Sequence, residues 1–296
     1  MMATKVEVTH PDRVLFPADG ITKAELVDYY STVADVMLPH LKDRPLTLWR
    51  YPRGIDQKGF VQQDFADSMP DWMGRVEVDK ENGTVVHPVA DSRESLRWLA
   101  NQNCVTVHAW LSRRDRLHTP DRIVFDLDPS ADDFAVVKAT ARAVADLLTQ
   151  IGLVPYVQTT GSRGLHVVTP IRGDADYDTV RQFARDVAEV TVADDPDHRT
   201  VEMRKANRGD RVYIDVMRNA YAQTAVAPYA VRARRGAPVA TPLEWDELDR
   251  RGLRADLFTM LDVPKRVAEH GDPWGDIGRR ARALARPAQQ LTKIRA

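Results

Sequence analysis

The sequence predicts an α+β fold with a mixed or antiparallel central sheet flanked by helices. Three observations carry this. Short apolar runs come in hairpin-like pairs, as with Val154–Gln158 and Leu165–Thr169 on either side of Gly161-Ser162-Arg163-Gly164. Amphipathic stretches lie among them, the strongest from Ala131 to Ile151 with Val137, Ala141, Val144 and Leu148 on one face. The regular strand–helix alternation of a doubly wound sheet is missing.

The elements follow in order. Thr22 to Met37 reads as a helix: Thr22 and Glu25 have capping-box spacing, and Leu26, Tyr29, Tyr30, Val33 and Met37 recur at helical intervals. Leu46–Tyr51 alternates like a strand and turns at Pro52-Arg53-Gly54. Val85–Val89 is a further strand, Ser92 to Asn101 a short helix, and Val105–Trp110 a strand. Arg122–Leu127 is a strand that runs into a carboxylate pair and stops at Pro129. Tyr177–Val190 is helical, and Val212–Met217 is an apolar strand around one central acid. Trp245–Leu248 and Leu257–Glu269 are expected as C-terminal helices. The whole, 1–296, is expected to be a single catalytic domain. Its portions are an N-terminal part over 1–120, a core over 121–235 and helices over 236–296.

Composition narrows the class. A chain of 296 residues can bury a large core. No apolar run approaches the ~20 residues needed to span a bilayer. The N-terminal Met1–Glu7 lacks the apolar core of a signal peptide. One cysteine, Cys104, excludes an internal disulfide and a cysteine-rich zinc site, and its apolar flanks suggest an inert core residue. A cytoplasmic location is expected. Net charge is −1, but residues 201–235 carry a balance of +5 and residues 174–197 one of −6. A chain so divided can offer one basic face to phosphates.

The chemistry concentrates at two places. In Ile123-Val124-Phe125-Asp126-Leu127-Asp128, the two acids are spaced i, i+2 and therefore share a strand face. Adjacent carboxylates repel unless a cation lies between them, so the pair reads as a divalent-metal site, with Asp215 as a third ligand. The other Asp-x-Asp copies, in Asp174-Ala-Asp176-Tyr-Asp178 and Asp195-Pro-Asp197, sit in polar surroundings and read as solvated loops. The second place is Thr159-Thr160-Gly161-Ser162-Arg163-Gly164-Leu165-His166, where backbone N–H groups, a hydroxyl, a guanidinium and an imidazole suit a triphosphate. It is not a P-loop. Lys205, Arg208, Arg211 and Arg218 lie near Asp215 in sequence, and Arg232 follows Ala227-Pro228-Tyr229. Arg13 and Lys23 flank a tight turn; Phe60 fits either a stacking role or the core.

Taken in order, these motifs resemble the polymerase domain of bacterial DNA ligase D, a branch of the archaeo-eukaryotic primase superfamily. The motifs are Asp-Arg-Val-Leu-Phe-Pro, Ile-Thr-Lys, Val-Phe-Asp-Leu-Asp-Pro, Gly-Ser-Arg-Gly-Leu-His, Val-Tyr-Ile-Asp and Ala-Pro-Tyr, from His10 to about Leu261. The resemblance implies a primase-polymerase fold and a nucleotidyltransferase with two divalent ions, Mn2+ or Mg2+, on Asp126, Asp128 and Asp215. It implies nucleotide contacts from His108, Ser162, Arg163, His166, Lys205 and Arg232. It places Arg13 and Lys23 on a DNA 5′-phosphate and Phe60 against the template. It further implies gap filling and end extension in non-homologous end joining, with NTP preferred to dNTP, DNA ends as substrate, Ku and a ligase as partners, and a nucleoid association.

Arg13 and Arg163 stand where relatives have lysine, and Val61 where many have a second aromatic. No ligase Lys-x-Asp-Gly motif occurs, so a stand-alone polymerase or an excised domain is expected. The same residues also admit an aspartyl-phosphate phosphatase (although Ser130 stands where its motif has Thr or Val), a non-catalytic DNA-end-binding module, and a two-metal nuclease.

Overall fold

Thr22 and Glu25 form the expected capping box: the Thr22 N–H donates to Glu25 Oε2 at 2.7 Å, and the Glu25 N–H donates to Thr22 Oγ1 at 3.3 Å. In the computed structural model, which describes residues 6–66 and 68–295, that box starts a helix at Lys23. Met1–Lys5, part of the N-terminal segment considered above, lie outside the described residues. The single helix expected over 22–37 is two, Lys23–Thr32 and Ala34–Leu41, with Val33 between them. Ser31 and Thr32 turn their hydroxyls back onto the Val27 and Asp28 carbonyls, at 2.7 and 2.8 Å, which bends a helix. The apolar spacing continues across the break, so periodicity alone could not show it.

The chain divides into two compact units. The first comprises 1–115, 226–241 and 258–272. Its sheet has Leu46–Arg50 between Phe60–Gln62 and Cys104–Trp110, both antiparallel to it. Helix Arg93–Asn101 starts at Ser92, whose hydroxyl accepts from the Ser95 N–H. Gly74–Lys80 pairs with Gly83–Val89 in a hairpin. Sequence reading identified only the second strand, because Arg75, Glu77, Asp79 and Lys80 mask the two valines between them. Cys104 is fully buried, and burial pushes its thiol up to about 12, which makes it inert. The helix expected from Leu257 begins later, at Val263, with Pro264 in its first turn.

The second unit comprises 116–225, 242–257 and 273–296. Its six-stranded sheet has the order Arg199–Thr200, Val212–Asp215, Arg122–Asp128, Leu165–Pro170, Tyr156–Thr159, Pro242–Leu243. Only the first pair is parallel, so the sheet is mixed and mostly antiparallel, as expected. Helices Phe134–Gln150 and Tyr177–Asp194 pack against it. The predicted face of the first, Val137, Ala141, Val144 and Leu148, is fully buried; each valine or leucine so covered stabilises by about 1.5–3 kcal/mol.

Two loop assignments sharpen. Asp176 caps the second helix by accepting from the Thr179 N–H at 2.8 Å, and Asp195 pairs with His198 at 2.8 Å. Trp245–Asp249 is a 3-10 segment, shorter than a true helix. Ala285–Arg295 forms an unforeseen helix; of its side chains only Pro287 and Leu291 are buried, too few to show a period. No helix among the described residues is long and apolar enough to cross a membrane.

A candidate carboxylate metal centre

Strand register builds the centre. On Arg122–Asp128, residue Asp126 lies directly opposite Asp215 on one neighbour and His166 on the other, and His166 lies opposite Gln158. Directly opposed residues share a sheet face, so Asp215, Asp126, His166 and Gln158 form one row across four strands. Asp128 shares that face two residues on. Ligand oxygens of Asp126, Asp128 and Asp215 lie within 4.8 Å of one another.

Hydrogen bonds fix Asp126, His166 and Asp215. His166 Nε2 is 3.3 Å from Asp126 Oδ1, and Arg218 Nε donates to Asp126 Oδ2 at 3.2 Å. The Gln158 amide faces His166 Nδ1 at 3.2 Å. An amide donor on Nδ1 leaves the ring proton on Nε2, aimed at Asp126. Asp215 accepts from the Met217 N–H at 2.7 Å and from the Tyr213 hydroxyl at 3.4 Å.

The three acids do not share one electrostatic state. Burial alone would raise the Asp126 carboxyl, but His166 and Arg218 outweigh it and hold the group below the usual carboxylate range. Asp128 is raised, first by burial and then by the charges of Asp126 and Asp215. Burial and Asp215 push the Tyr213 phenol up to about 12. Crowded carboxylates of this kind are relieved by a cation. All the donors are hard oxygens, which fits Mg2+ or Mn2+ and not a thiolate-seeking metal.

The glycine-rich turn is locked beside this centre. Thr160 Oγ1 donates to the Gly164 carbonyl at 3.0 Å and accepts from the Gly164 N–H at 3.2 Å. Gly161 has φ +61°, and a Cβ on Gly164 would stand 1.9 Å from the Leu127 carbonyl oxygen. The turn therefore lies directly against the backbone between Asp126 and Asp128. Ser162 is half-buried and Arg163 exposed at its tip.

The neighbouring bases separate by role. Arg208 stacks 3.8 Å from the Tyr213 ring centroid and donates to the Glu202 and Met203 carbonyls. Arg211 donates to the Arg208 and Asn207 carbonyls. Both hold their own loop together, whereas Arg218 reaches the carboxylates. Lys205 is exposed on the segment Lys205–Asn207.

The remaining candidates lie in the first unit. Lys23 is fully buried, and among the described residues its Nζ donates only to Thr9, to the carbonyl at 2.7 Å and the hydroxyl at 3.0 Å. Burial, then the charges of Arg13 and Arg50, push its ammonium down to about 8. Arg13 donates to the Pro52 carbonyl at 3.1 Å, and its own carbonyl accepts from the Lys23 N–H at 2.8 Å. Phe60 is 46% exposed, which removes the core alternative, and the Arg50 guanidinium lies 5.5 Å from its ring centroid. His108 is half-buried with its ring 6.2 Å from that of Trp49. The Arg232 N–H donates to the Pro238 carbonyl at 2.7 Å.

Sequence reasoning gave Arg50 and Gln158 no role. Each stands in an ordinary strand, and only register reveals its neighbours.

Comparison with known proteins is consistent along the chain. A family model described as "LigD, primase-polymerase domain" matches residues 22–274. The multifunctional non-homologous end joining DNA repair protein LigD of Mycobacterium tuberculosis is 37% identical over 300 residues, covering 98% of this chain and 39% of the relative. The bifunctional non-homologous end joining protein LigD of Bacillus subtilis is 31% identical over 277 residues, covering 93% and 44%. The chain thus spans about two fifths of the length of these curated relatives. Among solved structures, the polymerase domain from Mycobacterium tuberculosis ligase D in complex with DNA superposes with a TM-score of 0.89 at 36% identity, covering 94% of this chain and 100% of that one. The chain belongs to the LigD primase-polymerase domain family, and with it to the nucleotidyltransferases of the primase-polymerase type.

Proposed function

We propose that this protein adds nucleotides to a DNA 3′-hydroxyl under template direction, filling gaps and extending ends in non-homologous end joining. The observation that supports this most is the row Asp215–Asp126–His166 with Asp128, set against the Gly161–Gly164 turn. Asp126, Asp128 and Asp215 would hold two divalent ions, Mn2+ in preference to Mg2+. Bound there, the ions supply Lewis acidity for the attacking hydroxyl and the leaving pyrophosphate.

The chain's own groups do the rest. His166 and Arg218 keep Asp126 ionised and oriented. Ser162, Arg163 and His166 hold the triphosphate, with Lys205, Arg232 and His108 as further nucleotide contacts. Arg13 and Lys23 take the 5′-phosphate of a gap, and Phe60 stacks on the template. The 1–296 span serves as one catalytic domain, prefers NTP to dNTP, meets Ku and a DNA ligase on broken ends, and acts at the nucleoid.

The test is nucleotide addition to a 5′-phosphorylated gapped duplex with Mn2+, comparing NTP with dNTP. Wild-type addition that disappears in Asp126→Ala supports the proposal. A folded wild type that binds the gap but adds nothing would favour the end-binding reading instead.

A further inference from the structure

We propose a second phosphate-binding site, at the end of the second unit's sheet away from the carboxylates. Asp126 is opposite His166 and Arg122 is opposite Pro170, so this strand pair leads from the carboxylate row toward Arg172. The interval from His166 to Arg172 is about 20 Å of extended chain.

There the Arg172 N–H donates to the Arg282 carbonyl at 3.0 Å, and Ile171 bridges Arg282 in parallel. Two arginines are thus held side by side by their backbones. Arg286 follows in the first turn of helix Ala285–Arg295. The three line a cavity of about 600 Å3 together with Gln150 and Gln290. No acidic side chain is among its described lining residues.

Two other bases of the C-terminal stretch have carboxylate partners: Arg280 meets Asp276 at 2.7 Å and Arg295 meets Glu189 at 3.2 Å. Like charges gathered on a concave wall without a carboxylate select a multiply charged anion. Guanidinium forks match phosphate oxygens, and the N–H groups of the helix's first turn add to the same pull. Both glutamine amides can donate as well. The volume suits a ligand of nucleotide size. The ligand is a phosphate-bearing one, either a nucleic-acid strand or a free nucleotide.

The test uses the full chain. Cys104, the sole cysteine, is buried, so Gln290→Cys accepts a thiol-reactive fluorophore at one position. The labelled protein is titrated, in chelator, with inorganic tripolyphosphate, with ATP and with an unphosphorylated single-stranded oligonucleotide. Calorimetry on the unlabelled chain repeats each titration. We expect a saturable signal that weakens at least ten-fold in Arg282→Gln/Arg286→Gln, whose melting temperature and nucleotide addition stay at wild-type values. A response to the oligonucleotide alone identifies a strand as the ligand; a response to tripolyphosphate and ATP alone identifies a free nucleotide. Equal affinities for wild type and the double variant by calorimetry, with no response from the label, would overturn the site.

Discussion

The carboxylate row and the Arg13–Lys23–Arg50 cluster solve opposite electrostatic problems. In the row, like charges are gathered and two donors of the chain, the His166 ring and the Arg218 guanidinium, offset only one of them, leaving Asp128 raised. In the cluster, like charges of the other sign are gathered around a buried ammonium that, among the described residues, reaches only the neutral oxygens of Thr9. One region is short of positive charge and the other of negative charge. The difference teaches that an incomplete charge balance, read with its sign, indicates the kind of ligand each region takes.

The comparison can be broken most sharply at the row. Asp126→Ala or Asp215→Ala should lower nucleotide addition by roughly 10³-fold or more, since removing such preorganised charge costs about 4 kcal/mol. Binding of 5′-phosphorylated DNA, read by anisotropy, should stay within about two-fold. Loss of both together would join the two regions into one function.

Gly164→Ala comes next. A methyl placed 1.9 Å from the Leu127 oxygen forces the turn off the metal strand. A loss of about 3 kcal/mol or more is expected by denaturant titration. Gly209→Ala, with φ +58° but open space around its Cβ, should cost about 1 kcal/mol.

At the cluster, Lys23→Ala should weaken binding to 5′-phosphorylated gaps by about ten-fold, roughly one charge-assisted contact, and leave unphosphorylated gaps nearly unchanged. Equal weakening of both would reduce Lys23 to a general phosphate contact.

The pH dependence of Lys23 has two opposite signs. Its folded value, about 8, lies below the ordinary lysine value of 10.5. Between the two, the unfolded chain binds a proton that the folded chain does not, so this group's contribution to stability rises with pH across that window. Below about 8 both states are protonated, and the penalty of the buried charge is fully present. Phosphate recognition runs the other way: the preference for phosphorylated gaps should fall as pH rises through about 8. Anisotropy from pH 7 to pH 9 checks this, and a preference that stays flat excludes Lys23 as its source.

The smallest expected effect is at Gln158. Gln158→Leu removes the donor on His166 Nδ1 and frees the ring to change tautomer. A several-fold fall in kcat with little change in KM, and a shifted pH–rate profile, would mark a positioning role. A fall in melting temperature alone would mark a packing role.

What the sequence made legible was local. Asp126 and Asp128 share a face because strands alternate, and Val137, Ala141, Val144 and Leu148 share one because helices repeat. Capping at Thr22 was equally readable from a neighbouring side chain, Glu25. What stayed hidden was set by pairing. Asp215 was readable as a third acid in an apolar strand, but its place opposite Asp126 comes from register between strands far apart in sequence, and Gln158 acts only through its cross-strand neighbour. The same holds for bases: Arg208, Arg211 and Arg218 look alike in sequence, yet two bind carbonyls of their loop and one binds Asp126. The break at Val33 was hidden because apolar spacing runs through it, and the Ala285–Arg295 helix because it buries so little.

The most direct test of the carboxylate centre is Mn2+ binding without DNA or nucleotide, counted by electron paramagnetic resonance. The account predicts saturable binding to the wild-type protein that is lost in Asp126→Ala and in Asp215→Ala, with both variants folded. Wild-type Mn2+ binding retained in Asp215→Ala would contradict it.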